Sequence, residues 1–232
     1  MHQQHIKTSA IILAGGQGTR MQESLPKQYL SLGSKPVARH CFDIFIEMPE
    51  ITEIVVVCDP SYRNVFAHSS STKQVLFALP GKRRQDSVYN GLLASTPSFQ
   101  LVCVHDAARP FIDRTLVNRA LEAGQQWGAA TVGLPIKFTV KESTTQHFVH
   151  KTPDRSLLWE IQTPQVLHRD IISEGFRYAQ EHNITVTDDV SLAELVGKQV
   201  KLIEGSHENF KITVPVDLMI AQELLRDCAK RQ

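Results

Sequence analysis

The chain has 232 residues, 42% of them hydrophobic, and its 25 Lys and Arg against 24 Asp and Glu leave a formal charge of +1. That is globular composition, with enough apolar residues to bury a core and too little net charge for disorder. It fits generic nucleic-acid binding poorly, since that draws on a basic surface, and no apolar run approaches the roughly 18 residues of a membrane helix.

The elements alternate. Residues 9–14 form a near-continuous apolar run, which predicts a strand buried on both faces. Residues 36–48 read as a helix with Pro36 at its start. Strands are predicted over 53–58, 74–79 and 101–105, with a helix over 86–95. Asp113 is the expected N-cap of a helix whose Leu116, Val117, Ala120 and Leu121 share a face. A strand over 129–134 follows. Residues 137–142 and 147–151 alternate polar and apolar side chains around 143–146, as an inserted antiparallel hairpin would. A two-stranded hairpin is marginal alone, so it must pack on a second subunit or on its own domain. The alternation resumes with a helix over 169–181, a helix over 188–196 capped by Thr187, strands over 200–204 and 210–214, and a helix over 215–230.

Strand–helix alternation of this kind predicts an α/β fold with a mainly parallel, doubly wound sheet, which binds ligands beyond the carboxyl ends of its strands. Three segments follow predicted strands. The first is Gly15-Gly16-Gln17-Gly18-Thr19-Arg20-Met21. Its glycines let backbone amides approach an anion. It is neither a P-loop, lacking Gly-Lys-Ser/Thr, nor a dinucleotide fingerprint, since Met21 stands where Gly or Ala is needed. Arg20 and Lys27 add the positive charge a triphosphate requires. The second segment, Pro80 to Val88, holds Lys82, Arg83 and Arg84 in a row, either a nucleotide-contacting loop or a solvated basic turn. The third, His105-Asp106-Ala107-Ala108-Arg109-Pro110, offers a carboxylate suited to Mg²⁺ and an Arg able to grip a phosphate. The four cysteines, Cys41, Cys58, Cys103 and Cys228, form no CxxC pair and read as buried free thiols of a reducing compartment. The polar stretch 1–9 has no secretory h-region, so a cytoplasmic location is expected.

The strings LAGGQGTRM at 13–21, PKQYL at 26–30, RQDSV at 84–88, HDAARP at 105–110, DR at 154–155, TPQ at 163–165, TDD at 187–189 and NFKIT at 209–213 occur in order. Together they resemble the 2-C-methyl-D-erythritol 4-phosphate cytidylyltransferases of the non-mevalonate isoprenoid pathway. The resemblance spans roughly residues 9 to 226. It implies a Rossmann-like nucleotidyltransferase fold, one domain over 1–232, and a homodimer built through a β-arm at about 137–151. It implies transfer of CMP from CTP to the sugar phosphate with Mg²⁺, and no nucleic-acid or membrane partner. By the same resemblance Arg20, Lys27, Arg155 and Lys211 are catalytic. Ala14, Gly15, Gly16, Gly18, Gly81, Lys82, Ser87 and Asp106 bind nucleotide, with Asp106 also the metal ligand. Arg109, Arg155 and Thr187 contact substrate, with Arg155 serving the partner's site. Glu208 stands where bacterial members often carry Asp, and Gly15 replaces a common Ala. The competing readings are a cytidylyltransferase for another polyol phosphate, such as ribitol 5-phosphate, a nucleotide-sensing protein without chemistry, and a nicotinamide-dependent oxidoreductase.

Overall fold

The apolar strand pattern is realised as a seven-stranded sheet flanked by helices. The computed structural model describes residues 6–17, 25–68 and 73–230, apart from the side chains of 228–230. The sheet strands are β1 (Thr8–Leu13), β2 (Glu53–Val57), β3 (Gln74–Ala78), β4 (Leu101–Asp106), β5 (Ala129–Pro135), β6 (Trp159–His168) and β7 (Lys201–Glu204). Their spatial order is β7-β5-β6-β4-β1-β2-β3. All pairings are parallel except those of β6, which runs antiparallel to both β4 and β5.

The sheet is buried on both faces, as the unbroken apolar runs require. Ala10, Ile12, Ile54 and Val56 face α1 (Val37–Glu47) and α3 (Arg114–Trp127), meeting Phe42, Phe45, Leu116 and Val117. The alternate residues Ile11, Val55, Val57, Val102 and Val104 face α2 (Arg84–Ala94), α4 (Arg169–Glu181) and α5 (Ser191–Leu195). Helix α6 (Pro215–Lys230) closes a smaller cluster of Leu32, Val37, Ile212 and Ala221. Cys41, Cys58 and Cys103 are free and buried; the side chain of Cys228 lies outside the described residues.

Four expectations are corrected. Sequence patterning gives no strand over 159–168, where Gln162, Thr163, Pro164 and Gln165 interrupt any apolar run. All three polar residues are in fact buried in the sheet, with their side chains hydrogen-bonded. The strand predicted over 210–214 is absent. This segment crosses the strand ends instead, tied to them by Ile212 N donating to Ala108 O at 2.9 Å. The helix predicted over 188–196 shortens to α5, and Thr187 does not cap it. Asp188 accepts from the Ser191 amide at 3.1 Å, because a carboxylate three residues ahead reaches that donor. The hairpin is also shorter than predicted, pairing only Glu142–Ser143 with Val149–Lys151.

Asp113 caps α3 as expected, accepting from Leu116 N at 2.8 Å. Asp113→Ala should cost about 1 kcal/mol. For a chain of this size, thermal unfolding should then begin about 2–4 °C lower, measurable by calorimetry.

Candidate active site

Strand order reverses between β1 and β4, and the crevice beyond their carboxyl ends is the favoured ligand position of such sheets. A cavity of about 520 Å³ opens there. Its walls are the turn after β1 (Gly15, Gly16, Gln17), the turn after β3 (Pro80 to Arg84), Ser87 of α2, Asp106 and Ala108 after β4, and Lys27, Lys211 and Thr213.

Close packing forces glycine at two of these positions. A Cβ on Gly15 would fall 2.3 Å from Pro80 Cβ, and one on Gly81 would fall 2.3 Å from Asp86 Cβ. The first turn is pinned by two side chains that follow Pro26. Gln28 Nε2 donates to the carbonyls of Ala14 and Gly16, both at 2.8 Å, and Tyr29 Oη donates to Ala14 O at 2.7 Å. Tyr29 itself stacks on Tyr62, with centroids 3.8 Å apart. The second turn closes through Gly81 N, which donates to Ser87 Oγ at 2.9 Å, and Arg83 N, which donates to Asp86 at 3.0 Å.

Asp106 is the electrostatic centre. It is only 6% exposed. Lys211 Nζ lies 2.7 Å from one of its oxygens, Arg84 Nε 3.3 Å from the other, and Arg109 Nε 3.8 Å away. Burial alone would raise its carboxyl pKa; Arg84, Lys211 and Arg109 more than offset that and hold it well below the usual carboxylate range. Arg84 also forks onto buried Asp189, at 2.7 and 2.8 Å. Burial pushes the neighbouring His105 imidazole down to about 4, so it adds no charge near pH 7.

The predicted residues divide into three groups. Gly15, Gly16, Lys27, Gly81, Lys82, Ser87, Asp106 and Lys211 converge on the cavity, and Ala14 supports it through its carbonyl. Gly18 and Arg20 lie outside the described residues. Three predicted residues are not among those lining the cavity. Arg109 is buried behind Asp106, donating to Asn209 O at 2.8 Å. Thr187 is exposed on the loop before α5. Arg155 is exposed at the base of the hairpin, where it donates to Lys137 O at 3.0 Å. Sequence reasoning placed Arg84 in a basic run without assigning it a partner, and it assigned no site role to Asp189 or Gln28. The first two could have been suspected from the RQDSV and TDD strings; nothing in the sequence pairs them.

Among the described residues no group of three His, Cys, Asp or Glu could hold a metal ion, and Glu208 is exposed. Asp106 remains a carboxylate open to the cavity. That fits Mg²⁺, which commonly takes one or two carboxylates and completes its shell with waters and substrate phosphates.

A glycine-rich turn, a buried carboxylate and converging cations at the switch point of this sheet define an enzyme class that handles nucleoside phosphates. The comparisons narrow the class. The profile of IspD, 2-C-methyl-D-erythritol 4-phosphate cytidylyltransferase, matches residues 8–227. The chain is 46% identical over 221 residues to the chloroplastic enzyme of that name from Oryza sativa subsp. japonica, covering 94% of this chain and 74% of that one. It is 42% identical over 220 residues to the Chlamydia pneumoniae enzyme, covering 95% and 100%. Among solved structures, 4-diphosphocytidyl-2C-methyl-D-erythritol synthase from Anaerococcus prevotii superposes with TM-score 0.85 at 27% identity, covering 96% and 99%. The Thermus thermophilus cytidylyltransferase superposes with TM-score 0.76 at 32% identity, covering 95% and 99%. The chain therefore belongs to the 2-C-methyl-D-erythritol 4-phosphate cytidylyltransferase family and is a nucleotidyltransferase.

Asp106→Asn removes the shared counter-charge of three cations. Breaking a buried pair typically costs about 3–5 kcal/mol, and about 3 is expected here because Lys211 and Arg84 are partly solvated. Because the folded carboxyl is depressed, this stability is complete at neutral pH and fades as pH falls below about 4. Melting of the variant should be about 6–12 °C lower at pH 7. The gap to wild type should narrow in acid; a constant gap would contradict an ionised Asp106.

Proposed function

We propose that this chain transfers CMP from CTP to 2-C-methyl-D-erythritol 4-phosphate, releasing pyrophosphate, in the non-mevalonate route to isoprenoids. The observation that carries the reading is the Asp106–Lys211 pair at 2.7 Å, set between the glycine turns after β1 and β3 in a cavity that also receives Lys27. Family membership supplies the identity of the substrates. It favours this reading over another polyol phosphate, since the matched profile and the relatives carry this name.

The chemistry is an in-line displacement. A substrate phosphate oxygen attacks the α-phosphorus of CTP, the new P–O bond forms, and the bond to the β-phosphate bridging oxygen breaks. The nucleophile is already anionic, so no covalent intermediate is needed. Lys27 and Lys211 neutralise phosphate charge, and Gly81, Lys82 and Ser87 form the wall against which the nucleoside is held. Gly15 and Gly16 line the phosphate path and Ala14 anchors their turn; family membership assigns Gly18 to nucleotide binding and Arg20 to catalysis. Asp106 would hold Mg²⁺, which when bound neutralises triphosphate charge.

The proposal extends to a single cytoplasmic domain acting as a homodimer. Phe138, Phe148, Val149 and Leu157 in and around the hairpin are 82%, 69%, 61% and 78% exposed, so their own chain does not cover them. A second copy seated on this arm would bury them and bring Arg155 to its neighbour's cavity, where Arg109 and Thr187 complete the substrate side. Among the described residues no helix is long and apolar enough to cross a membrane.

Pyrophosphate release should require CTP, with ATP, GTP and UTP far weaker, and 2-C-methyl-D-erythritol 4-phosphate in preference to ribitol 5-phosphate. Preference for ribitol 5-phosphate would move the chain to the alternative substrate. Lys27→Ala and Lys211→Ala should each lower kcat by about 10²–10³, with KM for CTP changed little. Arg155→Ala should instead raise KM for the sugar phosphate. Mixing the Lys27→Ala and Arg155→Ala variants at sub-saturating sugar phosphate should give more activity than the two separately; mixed dimers without this gain would refute sharing of Arg155.

A further inference from the structure

The buried pair His105 and Thr163 touches neither turn of the cavity, yet both residues bond to the segment that carries Asp106. His105 is wholly buried and Thr163 is 3% exposed. They sit on adjacent antiparallel strands, where the regular ladder has just ended. The β6–β4 register runs from His168↔Leu101 to Gln165↔Val104 and stops. On its other side β6 shifts register against β5 between Ile161 and Gln165. The Asp106 amide therefore has no ladder acceptor on β6. Thr163 Oγ1 takes that place, accepting from Asp106 N at 3.1 Å.

The remaining protons can be assigned by satisfaction. His105 Nε2 lies 3.2 Å from Arg109 O. A carbonyl has no proton to give, so Nε2 donates. Thr163 Oγ1 lies 3.1 Å from His105 Nδ1, and among the described residues its hydroxyl proton has no other partner. A buried hydroxyl left without an acceptor is costly, so Thr163 donates to Nδ1. The result is a directed chain: Asp106 N–H to Thr163, Thr163 O–H to Nδ1, and Nε2–H to Arg109 O. It fixes both ends of the turn from Asp106 to Arg109. Asp106 in turn sets Lys211 at 2.7 Å and Arg84 at 3.3 Å.

We infer that His105 and Thr163 are positioning residues of the nucleotidyl transfer, with His105 locked as the Nε2-protonated tautomer so that Asp106 presents Lys211 to the reacting phosphates. This rests on the function proposed above. Outer-layer partners of this sort typically contribute about 10–100-fold in activity.

Wild-type pyrophosphate release is measured first, and its absence would refute the function rather than this role. Thr163→Val keeps the side-chain shape and removes the hydroxyl; it should lower kcat about 10-fold or more with KM for CTP within about 2-fold. Thr163→Ser restores the hydroxyl and should recover most of kcat. An unchanged kcat in Thr163→Val, or an equal loss in Thr163→Ser, would overturn the proposal. ¹⁵N spectra of histidine-labelled wild type provide a readout independent of activity and of any variant's folding. They should show a bare, hydrogen-bonded Nδ1 and a protonated Nε2 for His105. The opposite tautomer, or protons on both nitrogens, would also overturn it.

Discussion

A buried carboxylate must be compensated, and this requirement organises the cavity edge of the molecule. An isolated ionised Asp in the interior costs several kcal/mol, so Asp106 is stable there only with cations around it. Those cations come from three separate places: Arg84 from the start of α2, Lys211 from the segment before α6, and Arg109 from the turn after β4 itself. One negative charge thus fastens three segments that share no continuous secondary structure. Arg84 extends the tie by binding Asp189, whose amide is held in turn by Gln165 Oε1 at 2.6 Å.

The same compensation reconciles a net charge of +1 with a phosphate site. Lys27, Lys82, Arg84 and Lys211 concentrate positive charge around the cavity, and Asp106 and Asp189 balance part of it. Cations already held at fixed distances need little reorganisation when phosphate charge arrives, which is the basis of electrostatic preorganisation. A more basic surface would attract any polyanion. Here Lys27, Lys82, Arg84 and Lys211 gather positive charge at one crevice.

Local patterning made much of this legible. The bounds of the helix at 169–181 and the helix at 215–230 coincide with the predicted ones, because amphipathic periodicity sustained over three turns or more is hard to mistake. The ligand-bearing turns were legible because glycine and charge follow apolar strands. What stayed hidden depends on partners distant in sequence. Strand β6 is polar in composition, and its Gln162, Thr163 and Gln165 become strand residues only because buried neighbours satisfy them. Ile212 alternates with Lys211 as strand residues would, but the alternation serves a crossing segment with one residue in the core and one at the cavity. Arg109 looks like a phosphate ligand by composition; its burial and its hydrogen bond to the 209 carbonyl were not legible. The charge run 82–84 hid a division of labour: Lys82 and Arg83 are exposed while Arg84 turns inward.

The reversed direction of β6 has the largest architectural consequence. In a parallel sheet every strand enters at the edge remote from the ligand, and a crossover must return the chain there. Because β6 runs the other way, it begins at the ligand edge. Trp159 pairs with Pro135, the last residue of β5, so the excursion from 136 to 158 leaves and rejoins the sheet at the same edge. That is the edge of Gly15, Gly81 and Asp106. The hairpin and Arg155 therefore emerge at the edge of the sheet that carries the cavity, with no crossover to bring them there. Antiparallel insertion at this strand thus places an exposed arm beside the cavity through strand direction alone.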